Sequence, residues 1–156
     1  DGRALIYASE DGHYEIVKLL LGNGADIHAY GGRALIYASQ NGHCKTVKLL
    51  LEKGANINAD DSYPLRLASA CGHYETVKLL LENGANIHAN NDYALKWAYR
   101  NGHYKIVKLL IKHGADIHVL EKDKLLILFK DDYYYYILLN KYENYYLKNI
   151  SDMFNQ

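Results

Sequence analysis

The sequence predicts an all-α solenoid: four helix–turn–helix units of thirty residues, stacked in a row and closed by a degenerate helical end. Three observations predict it. The chain matches itself when shifted by 30 residues, each unit holds two short stretches with helical apolar spacing, and each stretch stops at a glycine. The units are 1–30, 31–60, 61–90 and 91–120, followed by 121–156.

The self-match is dense. Eleven columns are identical in all four copies. They run from Leu5, Leu35, Leu65 and Leu95, through Ala8 and its equivalents, to the Gly-His pairs at 12–13, 42–43, 72–73 and 102–103. Val-Lys-Leu-Leu follows at 17–20 and three more times, then Gly24-Ala25 and Ile27 with their copies. A pattern copied this often describes architecture before chemistry, because a catalytic site needs one unique constellation.

Within a unit, the first helix is expected over roughly Arg3 to Asp11, with Ala4, Leu5 and Ala8 on one face, ending at Gly12. The second is expected over roughly Tyr14 to Asn23, with Ile16, Val17, Leu20 and Leu21 as its apolar stripe. Gly24 stands where a left-handed C-terminal cap is wanted, and Gly2, Gly32, Ser62 and Asp92 are the expected N-caps of the first helices. Helices this short are marginal alone, so each must bury its stripe on a neighbouring unit, at roughly 1.5–3 kcal/mol per large aliphatic side chain. Stability then becomes a sum over neighbours.

The string from Pro64 to Ser69, then Gly72-His73-Tyr74-Glu75-Thr76-Val77-Lys78-Leu79-Leu80-Leu81 and Gly84-Ala85-Asn86-Ile87-His88-Ala89, resembles an ankyrin repeat. The resemblance covers residues 1–120 and extends to the Tyr- and Asn-rich ankyrin proteins of giant amoeba viruses. It departs from the family in two ways. The usual ankyrin repeat is about 33 residues long, and the three missing residues fall between Ala29 and Leu35, where the family places a β-hairpin finger. Stubby turns are expected there, with no strand. The family's Thr-Pro-Leu-His start is also replaced, by Arg33-Ala34-Leu35-Ile36 and Tyr93-Ala94-Leu95-Lys96.

Residues 121–156 keep a faint register: Leu125, Ile137 and Leu139 fall in the Leu5, Val17 and Leu19 columns. They read either as a degenerate fifth repeat or as a docking tail around Tyr133 to Tyr136. A cap is the favoured reading, because an open solenoid end exposes an apolar patch.

Charge and motif content exclude several classes of function. Eighteen basic residues balance eighteen acidic ones, with 13 against 12 over 1–120 and 5 against 6 beyond, so no basic footprint points to nucleic acid. No apolar run reaches the roughly 20 residues of a membrane span, so no membrane partner is expected. Cys44 and Cys71 form no pairing framework, which suits an intracellular setting, here a host cytoplasm. The chain opens at Asp1 without Met, as a piece of a longer protein would.

His13, His43, His73 and His103 form a ladder, but equivalent residues on helices packed roughly 8–10 Å apart cannot share one ion. They are read as shaping the turn into the second helix. No phosphate loop, nucleophile elbow or metal spacing is present, so no enzyme activity, cofactor or metal is expected. Lys18, Lys48, Lys78 and Lys108 form a second ladder with glutamates three or four residues away, read as solvated pairs. Asn58 stands where the other copies carry His28, His88 and His118; it either braces the loop or, by the ankyrin resemblance, is a substrate of an asparaginyl hydroxylase.

The columns that vary between copies are the informative ones. The resemblance implies partner contacts at the turn tips and first-helix ends, along a concave face. Carried over, these are Tyr30, Arg33, Asp61, Tyr63, Asn91 and Tyr93 at the tips. The helix ends add Glu10, Asp11, Gln40, Asn41, Ala70, Cys71, Arg100 and Asn101, and Arg66 and Lys96 replace Ile6 and Ile36 in the groove. Tyr63 and Tyr93 are expected side by side with Arg33 next in the row. Trp97 shares a column with Tyr7, Tyr37 and Leu67 and is read as core. The expected function is binding of another protein, such as a host protein, by a monomer. A substrate adaptor for a ubiquitin ligase and a passive spacer are the alternatives.

Overall fold

A computed structural model describes residues 2–120. The chain divides into two compact units, Asp1–Val119 and Leu120–Gln156, and every helix below belongs to the first. The expected cap over 121–156, with its tyrosine run, lies outside the described residues.

Each thirty-residue unit holds one antiparallel helix pair. The first helices are α1 (Gly2–Glu10), α3 (Ala29–Gln40), α5 (Ala59–Cys71) and α7 (Ala89–Arg100). The second helices are α2 (Tyr14–Gly22), α4 (Cys44–Glu52), α6 (Tyr74–Glu82) and α8 (Tyr104–Lys112), and a short 3-10 turn follows at Ile117–Val119. First helices pack on first helices and second on second, giving two layers. The first-helix layer is the more closely packed, and its outer surface corresponds to the concave face that the ankyrin resemblance implies. No strand occurs among the described residues.

Both helices of a unit end in the same way. Gly12 and Gly24 have φ of 70° and 82°, a left-handed conformation that glycine reaches without a Cβ penalty. Past each one, the chain folds back on the helix: His13 N–H donates to Ala8 O at 2.8 Å, and Ala25 N–H to Leu20 O at 3.0 Å. This is the six-to-one bond of a Schellman cap, repeated in every copy, and it satisfies carbonyls that the helix leaves open.

Between the layers lies one continuous core. Its floor is the Leu5 and Val17 columns, buried in all four copies. The expected stripe of the second helix holds in the Val17 column throughout and in the Ile16 and Leu20 columns of the second to fourth repeats, and it departs at the Leu21 column. The Leu19 column is buried at Leu49 and Leu109, whereas the Leu21 column stays half-buried throughout. Small residues at Ala38, Ala68 and Ala98 are fully buried and let the first helices approach closely.

The shortened fingers are left-handed turns that open α3, α5 and α7, and regular right-handed helix begins only after them. Three consecutive residues have positive φ in each: Tyr30-Gly31-Gly32, Asp60-Asp61-Ser62 and Asn90-Asn91-Asp92. This conformation costs roughly 1–2 kcal/mol per ordinary residue, least for Gly, Asn and Asp, which fill most of these places. The expected N-cap column is corrected here. Ser62 and Asp92 sit in the last left-handed position, and neither side chain accepts a bond from the first turn of its helix. Both turn backward instead. Ser62 Oγ donates to Asn58 Oδ1 at 2.6 Å, and the buried Asp92 carboxylate accepts from His88 Nδ1 at 3.2 Å. The left-handed run reverses the direction of a cap side chain, so the polar group braces the turn instead of the helix end.

Candidate functional site

On the concave face, α5 and α7 carry a connected row of aromatic rings and guanidinium groups. Spacings of three and four residues put Tyr63 and Arg66 on one side of α5, and Tyr93, Trp97 and Arg100 on the matching side of α7. The Arg66 guanidinium lies 5.0 Å from the Tyr63 ring centre and 4.5 Å from that of Tyr93, so it is held between the two rings. Tyr93 meets Trp97 at 5.4 Å, and the Arg100 guanidinium lies 5.6 Å from the Trp97 ring. Each cation–ring contact is worth roughly 0.5–2 kcal/mol, more where water is excluded.

Arg66 is the most enclosed charge of the row, its side chain 13% exposed. Its Nη1 donates to Asp61 O at 3.4 Å and lies 3.8 Å from an Asp61 carboxylate oxygen. Both contacts are long, and Nε is buried without a hydrogen-bond partner among the described residues. The rings position this cation while its charge is only loosely balanced.

The N-terminal half of the face is a cleft of about 310 Å³ lined by Arg3, Ile6, Tyr7, Glu10, Tyr30, Arg33 and Tyr37. Arg3 Nε donates to the Tyr30 hydroxyl at 3.3 Å, and this bond raises the already high guanidinium pKa. The cation of the cleft therefore stays protonated at any physiological pH.

The ten expected contact residues divide between two environments. Tyr30, Arg33, Asp61, Asn91 and Arg100 are exposed, and Gln40, Tyr63, Arg66, Tyr93 and Lys96 are half-buried. Two positional readings change. The cation beside Tyr63 and Tyr93 is Arg66, whereas Arg33 lines the N-terminal cleft; the long Arg66 side chain reaches forward into the gap between successive repeats. Trp97 is a half-buried member of the row and not core, since its column lies on the concave surface, where Tyr7 is also exposed. The signal for both was in the sequence: Arg66 and Arg100 fall one helical turn from the aromatic columns.

The repeated polar residues hold the stack together. His43 Nε2 donates to Glu10 O at 2.8 Å, His73 Nε2 to Gln40 O at 2.8 Å and His103 Nε2 to Ala70 O at 3.1 Å. A carbonyl only accepts, so the Nε2 nitrogen carries the proton in each. Asn41 and Asn101 donate to the same carbonyls, Glu10 O and Ala70 O. Asn58 Oδ1 accepts from Ser62 Oγ and from Asn86 N–H at 2.9 Å, which ties successive turns. Lys78 and Glu82 approach to 4.0 Å at the surface, a pair worth at most a few tenths of a kcal/mol.

No described helix is long and apolar enough to cross a membrane. Comparison with curated proteins found no match. The family description "Ankyrin repeats (3 copies)" matches residues 1–61 and again 59–121. These matches span well over half of the 156 residues, so the chain belongs to the ankyrin-repeat family, whose repeats generally mediate protein–protein interaction.

Proposed function

We propose that the chain is a protein-binding module whose partner sits on the concave face, anchored by Tyr63, Arg66, Tyr93, Trp97 and Arg100. The observation that carries this reading is the stacked row itself. Rigid aromatic rings and a forked donor, presented together on an ordered surface, are the residues that dominate binding energy at protein interfaces. The row is already formed in the isolated chain, so little ordering cost opposes binding. Free thiols at Cys44 and Cys71 support an intracellular setting. The finer reading, a viral chain acting as a monomer on a host protein, is carried over from the resemblance of these Tyr- and Asn-rich repeats to those of giant amoeba viruses.

The test is capture from a host-cell lysate followed by mass spectrometry, comparing the parent with a Tyr63→Ala, Tyr93→Ala double variant. Partners should be lost, while a control with Lys48→Ala and Lys78→Ala on the outer helices keeps them. Thermal melting separates the two ways of losing them: an anchor role leaves the double variant folded at the capture temperature. If the double variant retains every partner, the row is not the binding site. A ubiquitin-ligase subunit among the partners would identify the module as an adaptor.

A further inference from the structure

All four arginines of the chain lie on first helices, one per repeat: Arg3, Arg33, Arg66 and Arg100. The second helices carry lysine as their only strong cation. Over residues 3–10, 33–40, 63–70 and 93–100, the concave helices hold these four arginines and Lys96 against one carboxylate, Glu10. A chain of zero net charge has therefore sorted its forked cations onto one face.

Three of them form a track. Arg33 to Arg66 is 33 residues and Arg66 to Arg100 is 34, in a chain whose repeat is 30 residues. Each step thus moves one repeat along the stack and about one helical turn along the helix. With helices roughly 8–10 Å apart and a rise of roughly 1.5 Å per residue, the steps are about 10–12 Å. An extended peptide covers that distance in three to four residues, at about 3.3 Å each. The spaces between the cations are apolar and aromatic, filled by Tyr63, Tyr93 and Trp97.

We propose that this diagonal takes an extended acidic segment of the partner protein, with a carboxylate at every third or fourth residue facing Arg33, Arg66 and Arg100, and apolar side chains between them against the rings. The proposal rests on the protein-binding reading above and adds the chemistry of the bound segment. Stacking on a ring holds a guanidinium flat and leaves its edge donors directed outward, the geometry that favours bidentate pairing with a carboxylate. Arg66 has the most to gain, since its carboxylate neighbour, Asp61, stands off at 3.8 Å and its 3.4 Å bond is to a neutral backbone carbonyl. A single-stranded nucleic acid is the competing ligand for Arg and aromatic rows. Its phosphates follow one another more closely than cations about 10–12 Å apart can match, and a chain of zero net charge lacks the basic excess that nucleic-acid surfaces carry.

Trp97 is the only tryptophan of the chain and lies on the track, so its fluorescence reports occupancy directly. The experiment titrates the whole chain with an array of 12-residue peptides carrying Glu at every third or fourth position between apolar residues. Each has a twin with Gln for Glu, and an oligothymidylate serves as the nucleic-acid probe. Glu peptides should bind at least about tenfold more tightly than their Gln twins and weaken with added salt. Arg100→Gln, an exposed change, and Arg66→Lys, which keeps the charge but removes the fork, should each reduce affinity severalfold with the fold intact by circular dichroism. Equal binding of the Gln twins overturns the acidic-segment proposal and leaves protein binding by the row standing. A preference for the oligonucleotide, or no Trp97 response to any peptide, overturns it as well. Lysate capture by the Tyr63, Tyr93 pair judges the broader reading separately.

Discussion

Ile16 in the first repeat and Ile106 in the fourth are the same residue in the same column, each followed by Val-Lys-Leu-Leu. Ile106 is 2% exposed and Ile16 is 49% exposed. Leu49 and Leu19 repeat the contrast, at 6% and 66%. The histidine ladder does so in polar form: His43, His73 and His103 each donate to a carbonyl of the preceding repeat. His13 is exposed, with Asp11 at 4.0 Å as its nearest charged partner. Within one repeat, the helices, caps and turns are complete in all copies. What differs is the preceding helix pair, which buries the Ile16, Leu19 and His13 columns of the repeat that follows. Local sequence builds the unit, and the neighbour supplies much of its burial.

The largest expected effect tests the apolar side of this contrast. Ile106→Ala should destabilise by about 2–5 kcal/mol, the range for a large aliphatic residue removed from a packed core, whereas Ile16→Ala should cost less than about 1 kcal/mol. Urea unfolding of both variants checks it. Equal losses would show that the first repeat is as tightly held as the fourth and would break the comparison.

A backbone change should show no such asymmetry. Gly54 and Gly24 have φ of 91° and 82°, and a Cβ on either would meet nothing within 4 Å. Valine at either site meets backbone strain alone, expected at about 1–3 kcal/mol. Gly24→Val and Gly54→Val should therefore cost nearly the same, because this term belongs to the helix end and not to the neighbour. A much cheaper Gly24→Val, read from the same unfolding curves, would mean that the first repeat is frayed before the substitution is made.

The smallest effect concerns the ladder. His73→Ala removes a part-buried bond and the ring that packs over Gly42, at about 1–2 kcal/mol, and His13→Ala should be near neutral. Hydrogen exchange at the α3–α4 junction should rise in the first variant and stay unchanged in the second.

Much of this was legible from residues alone because the repeat compares the chain with itself. The second helix, expected from Tyr14 to Asn23, spans Tyr14–Gly22, since the Gly-His entry and the Gly24 exit are strong local signals. The absence of fingers followed from counting residues between Ala29 and Leu35. The caps were misread because Ser62 and Asp92 belong to the right residue set for an N-cap. Whether a side chain points forward or back depends on the sign of φ. The binding row was half legible. Its tyrosines were identified, and Trp97 follows Tyr93 by one helical turn, but Arg66 reaches the Tyr93 ring only because α5 and α7 lie side by side and a long side chain can cross between them.

By itself, then, the order of residues determined the helix pairs, their glycine caps, the thirty-residue period and the columns that must be buried, all of which arise from contacts within one turn or one repeat. Only the tertiary structure decided which copy of a column is covered, which way the turn polar groups face, and which cation lies between which rings. The covering neighbour and the second ring lie about thirty residues away in the chain, and the turn groups follow the local sign of φ, neither of which propensity or periodicity carries.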